Sequence, residues 1–202
     1  MKKTYFIKTF NLILNLFILA GVESLSIVAF KWTHFLFDKN NMLSKVILTQ
    51  EIREWTLQIL RYIEMLATAT LILLFLLLGI ELFSRLREDN FLNYFKSVFQ
   101  TFKLRHFLVQ SEHSEKTAEN QKVTSFNPIF KTLNKAVHKG VIDISKENII
   151  LYLKVPHTQQ AQKLLKEMEA QIKEEVASRN PDYYFSAPNR VKNKMWLIGT
   201  KR

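Results

Sequence analysis

Residues 65–80 carry no charged side chain, and LATATLILLFLLLGI within them offers nothing more polar than Thr68 and Thr70. A helix on the surface of a soluble domain needs a polar face, whereas one that is apolar all round belongs in a large core or in lipid. With its flanks, 62–84, the run has the roughly 20 residues that cross a bilayer. A similar segment precedes it: 9–22 is uncharged, and after Glu23 the apolar pattern resumes to Phe30. The pair predicts a two-helix transmembrane hairpin.

The bases orient it. The net charge of +11 is concentrated at both ends of the chain. Lys2, Lys3 and Lys8 lead into the first span, and Arg85, Arg87, Lys96, Lys103 and Arg105 follow the second, while 38–64 mixes bases and acids evenly. The positive-inside rule places both termini in the cytoplasm and the 38–61 loop outside, giving a two-pass protein of the cell membrane. A cleaved leader is not expected. Ile18-Leu19-Ala20 is a poor small-x-small site, and Val22 stands where a lipoprotein would need cysteine.

Leu48, Ile52, Trp55, Ile59, Tyr62 and Leu66 are spaced alternately four and three apart, the rhythm of a helical seam. The seam runs into the second span, which predicts one helix from about 49 to 87. It reads either as the self-association surface of a homo-oligomer or as a face laid on lipid or on the end of the first span. Trp55 and Tyr62 suit the membrane interface, where amphipathic rings settle. Glu23 is the ionisable residue well inside a span, and an intramembrane carboxyl normally faces a partner or a water-filled space. Counted from the outer ends it lies near the depth of Thr68 and Thr70, so a hydrogen bond to a threonine hydroxyl is the structural arrangement to expect.

Beyond the second span, Phe91, Phe95, Val98, Phe99 and Phe102 recur at helical spacing among Arg87, Lys96, Lys103, Arg105 and His106. Such a helix either rests on the anionic inner leaflet, with its bases at the membrane surface, or docks on the domain that follows. Residues 110–126 hold almost nothing to bury and read as a flexible linker. The chain therefore divides into 1–109 (hairpin, outer helix and juxtamembrane helix), the linker 110–126, and a cytoplasmic domain over 127–202.

In that domain, VIDIS and IILYLKV make a strand hairpin ended by Pro156. Thr158 is the expected N-cap of a helix whose apolar stripe is Ala161, Leu164, Leu165, Met168, Ile172 and Val176, and Asn180-Pro181 stops it. A short strand over 183–186, a turn over 187–190 and a last strand over 194–200 complete the order ββαββ. The fold class is α+β.

The tail is basic. Arg179, Arg190, Lys192, Lys194, Lys201 and Arg202 face Asp182 alone, with Tyr183, Tyr184 and Trp196 among them. Bases interleaved with rings either bind nucleic acid, through phosphate contact and stacking, or form a solvated surface over a sheet core. Acidic lipid or an acidic protein partner fits the same charge. Cysteine is absent, and the four glycines are too dispersed for a phosphate loop. No carboxylate pair, Ser/His/Asp set or metal-ligand spacing stands out. The expectation is a protein without catalytic residues, metal or other cofactor.

The segments KAVHKGVIDIS with IILYLKV, TQQAQKLLKEMEAQIKEEVAS and KMWLIGT follow two spans and a basic juxtamembrane helix. This order of parts resembles the N-terminal region of FtsK-type DNA translocases of Gram-positive conjugative elements, where a membrane hairpin and a small α+β domain precede an ATPase. No GxxxxGK[ST] motif occurs here, so the resemblance does not imply motor activity. It implies a membrane adaptor of a mobile element that docks a protein or DNA at the inner face. Two other functions fit the same parts: a membrane effector, such as an immunity or phage-exclusion protein acting through the hairpin, and a subunit of an oligomeric pore or transporter.

Overall fold

A computed structural model describes residues 3–39, 47–110 and 128–202. The chain forms two compact units, one of residues Lys8–Glu81 and one of Leu82–Arg202 joined by Met1–Ile7. The expected linker, apart from Gln110, lies outside the described residues.

The first unit is a pair of long helices. The helix α1 covers Tyr5–Lys39 and α2 covers Ile47–Glu88, and the last turns of α2 belong to the second unit. Both are long and apolar enough to cross a membrane. The unbroken course of α2 agrees with the seam that runs into the second apolar run. Large apolar side chains such as Leu25, Val28, Ile72 and Phe75 stand exposed. Polar contacts among the described residues help to tie the two helices together. Glu23 meets Thr70, Lys31 Nζ pairs with Glu64 Oε1 at 2.9 Å, and Arg53 Nε donates to His34 Nε2 at 3.3 Å.

The second unit is mixed helix and antiparallel sheet. After α3 (Phe91–Leu108) and α4 (Pro128–Val137) come β1 (Val141–Ile144), β2 (Asn148–Lys154), α5 (Gln159–Glu167), α6 (Glu169–Arg179), β3 (Tyr183–Phe185), β4 (Asn189–Val191) and β5 (Lys194–Lys201). The strands lie in the order β1-β2-β5-β3, and β4 also pairs with β5. Side chains alternate across a strand. Ile142 and Ile144, Ile149 to Leu153 by twos, and Met195 with Leu197 therefore share one face. On it they form a single core with Leu104 and Leu108 of α3, Leu133 and Val137 of α4, Leu165 of α5, and Ile172 and Val176 of α6. The opposite face is covered too: Val141, Tyr152 and Trp196 are buried, and the Lys3 ammonium sits 3.8 Å above the Tyr152 ring.

The observed order departs from ββαββ in three ways. First, α4 precedes β1, placed by an apolar edge of Leu133, Ala136 and Val137. Second, the expected single helix is divided at Met168 into α5 and α6, although Met168 stays in the right-handed helical region and the bonds Met168 N–H to the Leu164 carbonyl and Ile172 N–H to the Met168 carbonyl carry the turn across. The apolar stripe survives the break, since Met168 and Ile172 both reach the core. Thr158 does occupy the N-cap position, with extended backbone, but its side chain makes no capping bond.

Third, the expected turn over 187–190 is instead a bulged continuation of the strand. Phe185 pairs with Gly199 and Asn189 with Trp196, so β3 and β4 share one edge of β5 with an extra residue between them. Pro188 lacks an N–H and so interrupts the ladder, but it does not reverse the chain. The reversal comes at Lys192-Asn193, where Lys192 takes φ 55°. No glycine marks that tight loop in the sequence.

Candidate functional site

Edge strands expose backbone groups that need partners, and β1 is one edge of this sheet. Its outward groups are met by a row of polar side chains four residues apart on the end of α2 and along α3. Arg105 Nε donates to the Gly140 carbonyl at 2.9 Å. Thr101 Oγ1 accepts from Ile142 N–H at 3.0 Å and donates to its carbonyl at 3.2 Å. Ser97 Oγ accepts from Ile144 N–H at 2.9 Å. Asp89 Oδ1 accepts from Lys146 N–H at 2.9 Å and from Asn93 Nδ2 at 2.8 Å. Four helical residues rise about 6 Å and two strand residues about 6.7 Å, so the two periods stay nearly in step over these rungs. Each backbone group left buried and unpaired would cost about 1–3 kcal/mol, which makes the row a substantial contribution to stability.

Arg85 is the centre of this network. Its guanidinium donates to the Ile144 carbonyl at 2.9 Å through Nη1, which also lies 3.4 Å from Asp89 Oδ2, and through Nη2 to Asp143 Oδ1. The rings of Phe6 and Tyr94 flank it, with centroids 5.1 and 5.8 Å from Cζ, and themselves meet edge to face. Cation–π contact of this kind strengthens on desolvation, and Arg85 is only 6% exposed. Further along α3, Gln100 and Asn180 exchange amide hydrogen bonds at 2.8 and 2.9 Å, which fastens α3 to the end of α6.

These positions correct one expectation. Arg85 and Arg105 were expected among the bases at the membrane surface; both are buried and bonded to β1. Burial pushes the Arg105 guanidinium down to about 10. Arg87, Lys96 and Lys103 remain exposed. The inner side of the helix after α2 docks on the following domain, where Leu104 and Leu108 complete its core. The aromatic face stays outward: Phe95, Phe99 and Phe102 are exposed, and Lys103 Nζ lies 4.4 Å over the Phe99 ring. Asp89, Asn93, Ser97, Thr101 and Asp143 were missed. The signal was the four-residue recurrence 85, 89, 93, 97, 101, 105 of polar types along an otherwise aromatic stretch.

In the hairpin unit, Thr70 Oγ1 lies 3.1 Å from Glu23 Oε1 and 3.0 Å from the Leu66 carbonyl. Glu23 is 5% exposed, and its Oε2 has no hydrogen-bond partner. Thr68 is turned outward and donates to the Met65 carbonyl at 2.8 Å. Ile52, Trp55, Ile59, Tyr62 and Leu66 of the seam are all exposed; the Leu48 side chain lies outside the described residues.

The basic tail is partly committed. Arg179 pairs with Glu175. Arg190 pairs with Glu169 at 2.9 Å and reaches the Gln162 carbonyl at 3.4 Å. Trp196 is 3% exposed and packs on Tyr152 with ring centroids 5.1 Å apart, so its face is not offered for stacking. Lys192, Lys194, Lys201 and Arg202 are exposed. Among the described residues, no three acidic or histidine side chains converge where a metal ion would sit. No protein-family model, curated protein or solved structure matches this chain.

Proposed function

We propose that the protein is a non-enzymatic adaptor anchored in the cell membrane by α1 and α2, with both termini in the cytoplasm. In this reading the sheet unit receives a partner at the inner face, in a setting such as the transfer system of a mobile element. The observation that carries the reading is the course of α2. One continuous helix leaves an apolar stretch and delivers Arg85 directly into the network on β1, with no loop between. Exposed apolar side chains along both helices support the lipid environment, since contiguous apolar surface of this extent is uncommon on a soluble protein.

Between the two partner classes, a protein is favoured at the basic tail. Trp196 is buried and two of the tail's arginines are paired with carboxylates, which leaves Tyr184 as the strongly exposed ring beside the tail's bases and reduces the surface on which successive bases would stack.

The reading is tested on the full chain in cells. The protein should sediment with membranes through high-salt and alkaline washes and leave them only in detergent. Protease added to whole cells should spare 128–202 and cut that region once the membrane is breached. Recovery in the soluble fraction, or digestion of 128–202 from outside, overturns the proposal.

A further inference from the structure

The seam on α2 does not stop at Leu66. Counted on in steps of three and four, it continues through Ala69, Leu73, Leu76 and Ile80, and each of these is exposed. From Ile52 to Ile80 it covers about 42 Å of helix, against about 30 Å for the hydrocarbon core of a bilayer. Its large side chains range from 43% exposed at Ile59 to 69% at Tyr62. Each copy of the chain therefore offers on the order of 800 Å² there, which is what a standard interface takes from one partner. The bonds to α1 leave α2 from Arg53, Glu64 and Thr70, roughly a third of a turn round the helix from the seam. A second helix can lie on the seam without displacing α1.

Lipid covers only part of this stripe. Ile52, Trp55 and Ile59 stand among Glu51, Arg53, Glu54 and Arg61, beyond the uncharged run 65–80. Apolar side chains in that outer stretch face water and gain from burial. Their cover has to pass from water into lipid along one line. A soluble protein fits the outer part alone. A second copy of this chain, inserted with the same orientation, presents the same stripe at the same depth, and two-fold symmetry makes the two stripes self-complementary.

The residues beside and within the seam suit that partner. Thr56, Gln58, Ile63, Met65, Thr70 and Ile72 flank it, none of them charged, so a parallel pair opposes no like charges over this length. One class of seam position holds Ile52, Ile59, Leu66, Leu73 and Ile80, aliphatic throughout, and isoleucine at that class favours two strands. The other class holds Trp55, Tyr62, Ala69 and Leu76, and the small Ala69 lets two backbones approach in lipid, where association depends on close packing.

We infer that two copies of the chain pair in parallel along α2, from Ile52 to Ile80. The inference rests on the membrane reading, because anchoring is what sets both stripes at one depth.

The test uses the full chain in washed membranes. The sequence has no cysteine, so a single introduced one reports only its own neighbours. After oxidation with copper phenanthroline, Ile59→Cys and Leu73→Cys should each give at least about five times the disulfide-linked dimer of Leu57→Cys and Leu71→Cys, which lie on the opposite side at similar depths. Leu71 is itself exposed, so random encounter in the bilayer would link Leu71→Cys and Leu73→Cys alike. Ile59→Glu, added to Leu73→Cys, sets like charges against each other across the two-fold and should cut the dimer about fivefold, whereas Leu57→Glu should leave it within about twofold. Extracted after oxidation, the Leu73→Cys protein should have the mass of two 23.9 kDa chains. Absence of the protein from washed membranes fails the anchoring and the pairing together. Retention there with equal yields at Leu71→Cys and Leu73→Cys overturns the pairing alone, and so does linkage of Ile59→Cys to a different protein or an extracted mass of three or more chains.

Discussion

Arg85 and Asp143 are buried together, and removing Arg85 takes this cationic donor from the buried Asp143 carboxylate. Taking two charges out of water is costly, so such a pair is weak evidence of net stabilisation, but breaking it is expensive. Arg85→Met is expected to destabilise the sheet unit by about 3–5 kcal/mol, because the Asp143 carboxylate and the Ile144 carbonyl then lose their donors. Arg85→Met combined with Asp143→Leu should recover part of that loss, since the new side chains pack against the Phe6 and Tyr94 rings while Asp89 keeps its bonds from Lys146 N–H and Asn93 Nδ2. Hydrogen exchange of the β1 and β2 amides in the full chain measures both effects. A single variant within about 1 kcal/mol of the parent would show that the pair is solvated and does not anchor the network on β1.

The short strand β3 is fastened to the β1–β2 turn by one side chain. The Tyr183 hydroxyl donates to the Ser145 carbonyl at 2.9 Å, while Lys201 N–H donates to the Glu147 carbonyl at 2.8 Å beside it. Burial, and then the nearby charges of Asp89 and Asp182, push the Tyr183 phenol above its ordinary value. Above about pH 10 the unfolded chain therefore releases this proton before the folded one does, and stability falls as pH rises through that window. Tyr183→Phe should cost about 1 kcal/mol at pH 8 and then lose stability less steeply than the parent above pH 10. Arg105 contributes with the opposite sign, because its folded form releases its proton near 10 and its unfolded form holds it longer. That contribution is common to both proteins and cancels in the comparison. Urea midpoints at pH 8 and 10.5 check the difference; parallel curves would mean that Tyr183 is not held by Ser145.

Taken whole, the molecule carries α3 with its polar side turned in and its phenylalanines turned out. Under the proposed function that outer face lies on the inner leaflet, with Lys96 and Lys103 toward anionic headgroups. The chain has no cysteine, so an introduced one is a unique label site. Spin labels at Phe95→Cys and Phe99→Cys, in vesicles containing phosphatidylglycerol, should sit within about 10 Å of the headgroup boundary and favour oxygen over a water-soluble relaxant. A label at Tyr184→Cys, on an exposed strand residue, should show the reverse. Equal water access at all three sites would remove the membrane surface as the occupant of this face.

The features that follow from local periodicity were legible in the sequence. Two runs without charge become two long apolar helices, the seam from Ile52 to Leu66 lies on one unbroken helix, and period-two alternation in IILYLKV and KMWLIGT becomes the central pair of the sheet. Which face of α3 turns inward could not be read there. A row of phenylalanines and a row of polar side chains share that helix, and burial of apolar area alone would hide the phenylalanines. Tertiary structure reversed the choice because β1 is an edge strand, and its N–H and C=O groups need hydrogen bonds that Ser97, Thr101 and Arg105 supply and phenylalanine does not.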